Sequence, residues 1–220
     1  LEGDIKVIKL TDGYEYRAKT VIISAGSKWR QLNVPGEEKL RGRGVCYCAI
    51  CDGPFFRGLD IAVIAGGNSG VEAALDLSKM VKSIKLIEFT DKLNADKVLV
   101  DKALATPNIE AITSAQVAEV LGTDEVTALK YIDRKTGEEK TVDVQGVFVE
   151  IGLVPNSQFV EGLVELNRFK EIVVNKSCET SIPGIYACGD ITDVPFKQII
   201  IASGEGAKAA LTACEYLNKH

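Results

Sequence analysis

A short apolar run, Ile61-Ala62-Val63-Ile64, leads directly into Ala65-Gly66-Gly67-Asn68-Ser69-Gly70, after which Val71, Ala74, Leu75 and Ser78 recur at helical spacing to about residue 82. Residues 83–89, with Ile84, Leu86 and Ile87 apolar, return as a strand. Two parallel strands joined by a helix, with glycines at the first turn, form a βαβ unit, and few chain paths accommodate one. The first N–H groups of such a helix point at the turn and hold a pyrophosphate, so Ala65, Gly66, Gly67, Asn68, Ser69 and Gly70 are expected to line a dinucleotide site. Glu88 ends the second strand roughly 20 residues later, where a carboxylate accepts from the adenosine ribose hydroxyls and repels a 2′-phosphate. NADH is therefore expected over NADPH. The alternative is a turn that merely packs a helix on a strand. Ala65 takes the position of the first glycine, and its cost is small if its φ is negative.

Ahead of this unit stands Cys48-Ala49-Ile50-Cys51-Asp52-Gly53. Two cysteines separated by two residues can close a small disulfide ring, and a nearby positive field or helix start favours the thiolate. Redox chemistry is one reading. With Cys46 the run could instead supply three soft ligands to zinc, although no fourth is evident, or the thiols could be inert. Cys178, Cys188 and Cys214 are expected to be structural thiols. The single histidine is His220, the last residue, which argues against Ser-His-Asp hydrolysis and His-ligated metal catalysis. Proton transfer then falls to carboxylates, thiols, tyrosine, lysine or a cofactor.

The 220 residues, 46% hydrophobic, suffice for one large core or two smaller ones. A net charge of -5 argues against nucleic acid and anionic membrane as partners. No apolar stretch approaches the ~20 residues of a membrane span and no signal peptide opens the chain, so a cytoplasmic location is expected. The chain begins with Leu1 and enters at once into a strand-like run at 5–10, as if in the middle of something.

A turn at Asp12-Gly13, a strand at 14–17 and a third at 21–24 precede an irregular stretch near 28–35, read as a crossover between domains. Beyond the βαβ unit the pattern gives a helix at 95–105 and strands from 109, at 117–121, 126–133, 139–144 and 146–152. Pro155-Asn156 marks a second crossover. A strand at 184–187 ends on Cys188-Gly189-Asp190. The final helix follows, with Ala207, Ala210, Leu211, Cys214 and Leu217 marking one face at helical spacing and Gly204 and Gly206 permitting close approach near its start. Asp190 either accepts from a cofactor hydroxyl or caps a turn.

Together these segments carry a resemblance. Val21-Ile22-Ile23-Ser24-Ala25-Gly26, the Cys48 to Phe56 stretch, Gly66-Gly67-Asn68-Ser69-Gly70-Val71-Glu72, Ile151-Gly152-Leu153-Val154-Pro155-Asn156 and Gly184-Ile185-Tyr186-Ala187-Cys188-Gly189-Asp190 resemble, in collinear order, the low-molecular-weight thioredoxin reductase family. Ile87-Glu88-Phe89, Lys176-Ser177-Cys178-Glu179-Thr180 and the Lys197 to Lys208 stretch are most similar to its branch of alkyl hydroperoxide reductase flavoprotein (F) subunits.

The resemblance implies an α/β chain of two Rossmann-like, three-layer nucleotide-binding domains. One, for FAD, is discontinuous (1–30 and 156–220); the other, for NAD, spans 31–155 and carries the redox cysteines. It implies a homodimeric flavoenzyme passing electrons from NADH through FAD to a Cys48–Cys51 disulfide and on to a peroxiredoxin or a thioredoxin- or glutaredoxin-like protein. Cys51 would face the flavin, Cys48 would attack the partner, and Asp52 would move the proton. Ser24, Gly26, Gly189, Asp190, Ile191, Lys197, Gln198 and Ile199 would bind FAD. Glu72 would lie near the nicotinamide, with Gly152 a further cofactor-binding residue. Family members open with a further βαβ unit that grips the FAD pyrophosphate; with nothing here supplying it, a fragment or a half-built flavin site is expected. The readings that compete with the reductase are an electron-transfer relative using another donor and an inactive zinc-binding fragment.

Overall fold

A computed structural model describes residues 3–220, which divide into two compact units, residues 29–152 and the pair of segments 3–28 and 153–220. The fold is α/β, as expected, with parallel sheet at the centre of the 29–152 unit.

In chain order, β1 (Lys6–Lys9) and β2 (Glu15–Ala18) form an antiparallel hairpin, β3 (Val21–Ile23) follows, and β4 (Ser27–Trp29) carries the chain across. The second unit contains β5 (Val45–Cys46), the one-turn helix α1 (Ala49–Asp52), β6 (Asp60–Ile64), α2 (Asn68–Leu77), β7 (Ser83–Ile87), α3 (Lys97–Leu104) and β8 (Ile109–Ile112). The meander β9 (Ala115–Gly122), β10 (Val126–Asp133) and β11 (Glu139–Asp143) then precedes β12 (Gly146–Val149). β13 (Leu153–Pro155) returns the chain to the first unit, which closes with β14 (Ile185–Ala187) and α4 (Ile199–Lys219).

The five parallel strands of the 29–152 unit lie in the order β5-β12-β6-β7-β8. A parallel sheet covered on both faces needs apolar side chains on both, which explains the unbroken run in β6. Ile61 and Val63 pack with Val71, Ala74, Leu77, Ile84 and Leu86 on the α2 side. Ala62 and Ile64 point the other way, packing with Val120, Leu129, Tyr131 and Val147 beneath the meander. Because the strands are parallel, all their C-terminal ends open onto one edge, where ligands of such sheets bind.

A buried carboxylate pins the segment leading to β5. Glu37, 3% exposed, accepts from the backbone N–H groups of Leu32 (2.9 Å) and Asn33 (2.7 Å) and from the Tyr47 hydroxyl (2.8 Å). Burial and this bond push the Tyr47 phenol above its ordinary value, and Trp29 stacks on the same ring.

In the other unit β14 pairs in parallel with β3, and Ile23, Ile185, Ala187 and Ile191 share a core with Val160, Val164 and Ile172. The last helix differs from its sequence pattern. Ala209 and Ala213 are its buried residues, packed on Tyr186, Cys178 and Cys188, whereas Ala207, Ala210, Leu211, Cys214 and Leu217 are all exposed. Small side chains let the helix lie close to β14, so the contact stripe is marked by size rather than hydropathy. Gly204 and Gly206 make no close approach, each having open space where a side chain would stand. Cys178 and Cys188 are buried thiols, as expected, but Cys214 is exposed. Among the described residues no helix is long and apolar enough to cross a membrane.

Glu37→Ala should lower the unfolding free energy by about 2 kcal/mol or more, since the buried Tyr47 hydroxyl and two part-buried N–H groups lose their acceptor, and Tyr47→Phe by about 1 kcal/mol. Urea unfolding of the two variants checks the order.

Candidate active site

The turn after β6 is shaped by contacts that leave no room for side chains. A Cβ on Gly70 would lie 2.2 Å from the Ala65 carbonyl oxygen, and one on Gly66 would lie 2.6 Å from the Glu88 carboxylate. Gly67 instead faces open space and caps α2 with no side-chain hydrogen bond. A helix start with uncapped donors and an unobstructed approach is what a pyrophosphate needs. Ala65 departs from expectation, since its φ is +153° and not negative. That region is nearly glycine-only, so the alanine is held in place by its surroundings.

Glu88 lies where the sequence suggests, at the end of β7, but it is already engaged. Its Oε2 accepts from the Gly66 N–H at 2.6 Å, and its Oε1 accepts from the Thr90 N–H (2.8 Å) and hydroxyl (2.6 Å). An ionised carboxylate has about four acceptor positions, so capacity for a ribose hydroxyl remains. The segment after Glu88 folds over the turn. The Asn94 N–H donates to the Gly66 carbonyl at 2.7 Å, and Asn68 and Asp96 exchange two hydrogen bonds, at 2.8 and 3.1 Å. Asn68 therefore clasps a loop. Sequence reading missed Thr90, Asn94 and Asp96, although the polar run from Thr90 to Asp96 between strand and helix was their only signal. A cavity of about 390 Å³ adjoins the turn, lined by Ala65, Glu88, Phe89, Gln116 and Ile151 among others. Arg134 lies over the Phe89 ring at 3.8 Å and donates to its carbonyl at 2.8 Å.

The cysteine turn follows β5. Cys48 and Cys51 form a disulfide across a Cα separation of 5.3 Å, with Cys48 as the N-cap of α1. The Cys51 N–H lies 3.2 Å from the Cys48 sulfur, a contact that favours a thiolate there after reduction. Cys51 is exposed; Cys48 and Asp52 are half-buried. Cys46 is buried and hydrogen-bonds Asp52, and burial, reinforced by the Asp52 charge, pushes its thiol up to about 12. Its neighbour pair being a disulfide, it shares no three-thiolate centre. Among the described residues no cluster of three or more His, Cys, Asp or Glu side chains is arranged to hold a metal. A groove of about 530 Å³ runs beside the disulfide, lined by Trp29, Arg41, Cys48, Asp52 and Phe55 among others.

Glu150, just past β12, was also missed. It is the lone charge in the run Val147-Phe148-Val149-Glu150-Ile151, and that isolation is a usable signal. Its Oε1 accepts the Ala49 N–H at 3.1 Å, and burial, added to by the Asp52 charge, pushes its carboxyl up to about 7. Gly152, two residues on, has φ +98° and is exposed; Glu72, in α2, is exposed.

The remaining sequence-selected residues lie in the other unit. Ser24 is exposed, and Gly26, at φ +65°, is half-buried. Gly189 (φ +74°) lies so close to α4 that a Cβ would meet Ala202 at 3.3 Å, with half-buried Asp190 and buried Ile191 beside it. Lys197 is no solvated lysine. It is ion-paired with Glu171 at 3.0 Å and donates to the Thr192 carbonyl. Gln198 is the extended N-cap of α4, and Ile199 is 88% exposed.

Residues 2–206 match the family model described as pyridine nucleotide-disulphide oxidoreductase. The chain is 53% identical over 217 residues to the F subunit of alkyl hydroperoxide reductase of Pseudomonas putida, covering 98% of this chain and 42% of that protein. It is 50% identical over 214 residues to an NADH dehydrogenase of Bacillus subtilis, covering 97% of this chain and 42% of that protein. The chain thus spans well under half the length of these relatives. Among solved structures, thioredoxin reductase from Streptococcus pyogenes is 39% identical and superposes with a TM-score of 0.93, covering 99% of this chain and 71% of that one. The resemblance drawn from the motifs is met.

Ala65→Gly should raise the unfolding free energy by about 1 kcal/mol by releasing backbone strain, and Gly70→Ala should lower it by about 2 kcal/mol through the clash with Ala65. Both shifts are measurable by denaturant unfolding.

Proposed function

The chain belongs to the pyridine nucleotide-disulphide oxidoreductase family, and from that premise we propose that it serves a reductase passing electrons from NADH, by way of FAD, to Cys48–Cys51 and on to a protein disulfide. The observation that carries this reading is one of sheet order. The cysteine turn lies past the C-terminal end of β5 and the glycine turn past that of β6, and β12 separates the two strands, so dithiol and nucleotide site share one edge of one sheet.

The residues fit the groups required. The uncapped start of α2, open at Gly67, suits a pyrophosphate, and Glu88 suits the ribose of NADH while its charge opposes a 2′-phosphate. In the other unit, the assigned FAD-binding unit, α4 begins at Gln198 without a side-chain cap, so its first N–H groups favour the negative charge of a reduced isoalloxazine. Ser24, Gly26, Gly189, Asp190 and Ile191 complete that set, with Lys197, Gln198 and Ile199 along the approach. Bound flavin would take a hydride from the nicotinamide and deliver an electron pair to a disulfide. The protein's own part is then thiol chemistry. Cys48, favoured as a thiolate by the Cys51 N–H, attacks the partner's disulfide, Cys51 resolves the mixed disulfide, and Asp52 beside them exchanges the proton.

The substrate of this reading is a peroxiredoxin or a thioredoxin- or glutaredoxin-like protein, in keeping with relatives named as alkyl hydroperoxide reductase F subunits and as thioredoxin reductase. A cytoplasmic homodimer completes it.

Absorbance spectra of the protein with FAD, before and after NADH, test the reading: flavin bands that bleach support it, and a colourless, zinc-loaded protein would refute it. The kcat/KM for NADH should exceed that for NADPH by about tenfold or more, on the charge of Glu88. Cys48→Ser should keep flavin bleaching by NADH yet lose turnover of a protein disulfide, and retained turnover would reassign the attacking sulfur.

A further inference from the structure

β12 enters the sheet between the strand that leads to the cysteines and the strand that leads to the glycine turn, and Glu150 is the first residue beyond its paired segment. Its N–H donates to the Ile64 carbonyl at 3.0 Å, one residue before Ala65, while its carboxyl accepts the N–H of Ala49, which lies between the two cysteines. One residue is thus bonded to the cysteine turn and to the strand end that leads into the glycine turn. We propose that Glu150 is a positioning residue of the dithiol, which anchors the Cys48–Cys51 turn to the sheet edge and, through its charge, sets how readily the reduced cysteines ionise. The proposal rests on reading Cys48–Cys51 as the redox pair and adds a group that this reading does not contain.

Opening the disulfide with a dithiol such as dithiothreitol breaks the S–S bond and moves two electrons to the cysteines. Two protons complete two thiols, and the reductant leaves as its own cyclic disulfide. The species that then reacts is a thiolate, and a negative charge beside it raises its pKa. Burial holds the Glu150 carboxyl neutral up to about pH 7, with the Asp52 charge adding to the effect and the Ala49 N–H opposing it. Below that pH Glu150 contributes no charge at the turn; above it a carboxylate opposes ionisation of the cysteines. Of the elements around it, α1 brings Asp52 and Cys51, with Cys48 as its cap. β5 brings Cys46, which burial and Asp52 keep protonated to about 12. The end of β6 and the turn into α2, residues 63–70, carry no ionisable side chain.

The test needs neither flavin nor nicotinamide. The chain is reduced with dithiothreitol, freed of reductant, and alkylated with iodoacetamide from pH 5.5 to 9, with labelling of Cys48 and Cys51 resolved by peptide mass. In the parent protein the rate profile should bend near pH 7 as Glu150 ionises. Glu150→Gln keeps a carbonyl for the Ala49 N–H but loses the charge; it should abolish the bend and label about threefold to tenfold faster at pH 8, while matching the parent at pH 5.5. Glu150→Ala, which also loses the acceptor, should likewise lack the bend. A Glu150→Gln profile that superimposes on the parent's would overturn the proposal and leave the reductase reading standing. A Cys48–Cys51 pair that dithiothreitol cannot open would overturn both.

Discussion

The parallel pairing of β12 with both β5 and β6 is the constraint on which the 29–152 unit depends. A strand from the far end of the unit is inserted between two strands from its beginning, and this decides what the sheet edge holds. Without β12 the cysteine turn would have no strand to hold it beside the glycine turn, because β5 has only two residues and pairs with β12 alone in that sheet. The pairing is sustained on both faces, by α2 on one side and the meander on the other, which is why every residue of β12 is buried. The chemistry at the edge inherits its geometry from an apolar interior.

The glycine turn illustrates a local interdependence of the same kind. Gly66 must lack a side chain because Glu88 reaches its N–H, and Gly70 must lack one because the Ala65 carbonyl lies against it. Ala65 itself retains a side chain at a φ that disfavours one. The strain is tolerated because β6 fixes its N-terminal side and α2 its C-terminal side, and its N–H is bonded to the Ile87 carbonyl at 3.1 Å. Glu88 thus shapes the turn.

Much of this was legible in the sequence, for identifiable reasons. The β6-α2-β7 unit announces itself because strand and helix periods differ and glycines punctuate their junction, and the meander because its turns carry Gly122 and Gly137. Strand ends were read too long, because Glu88 and Glu150 each keep one N–H bond to a neighbouring strand, to Ile112 and Ile64, while their side chains serve the turns that follow. Glu88 turns to Gly66 and Thr90, and Glu150 to Ala49. The buried face of α4 was misread because Ala209 and Ala213 carry little hydropathy, while Leu211 and Leu217 carry much and are exposed. Contacts such as Asn68 with Asp96, or Cys46 with Asp52, join segments whose proximity is a property of the fold, and no local pattern encodes them.

The short edge strand β5 has a kinetic meaning as well. Its only neighbour in the parallel sheet is β12, so closing that contact means bringing together segments roughly 100 residues apart along the chain, a long loop whose entropy is lost before any pairing rewards it. β6, β7 and β8 can align through their intervening helices much earlier. During synthesis Cys48 and Cys51 emerge well before the strand that will seat them.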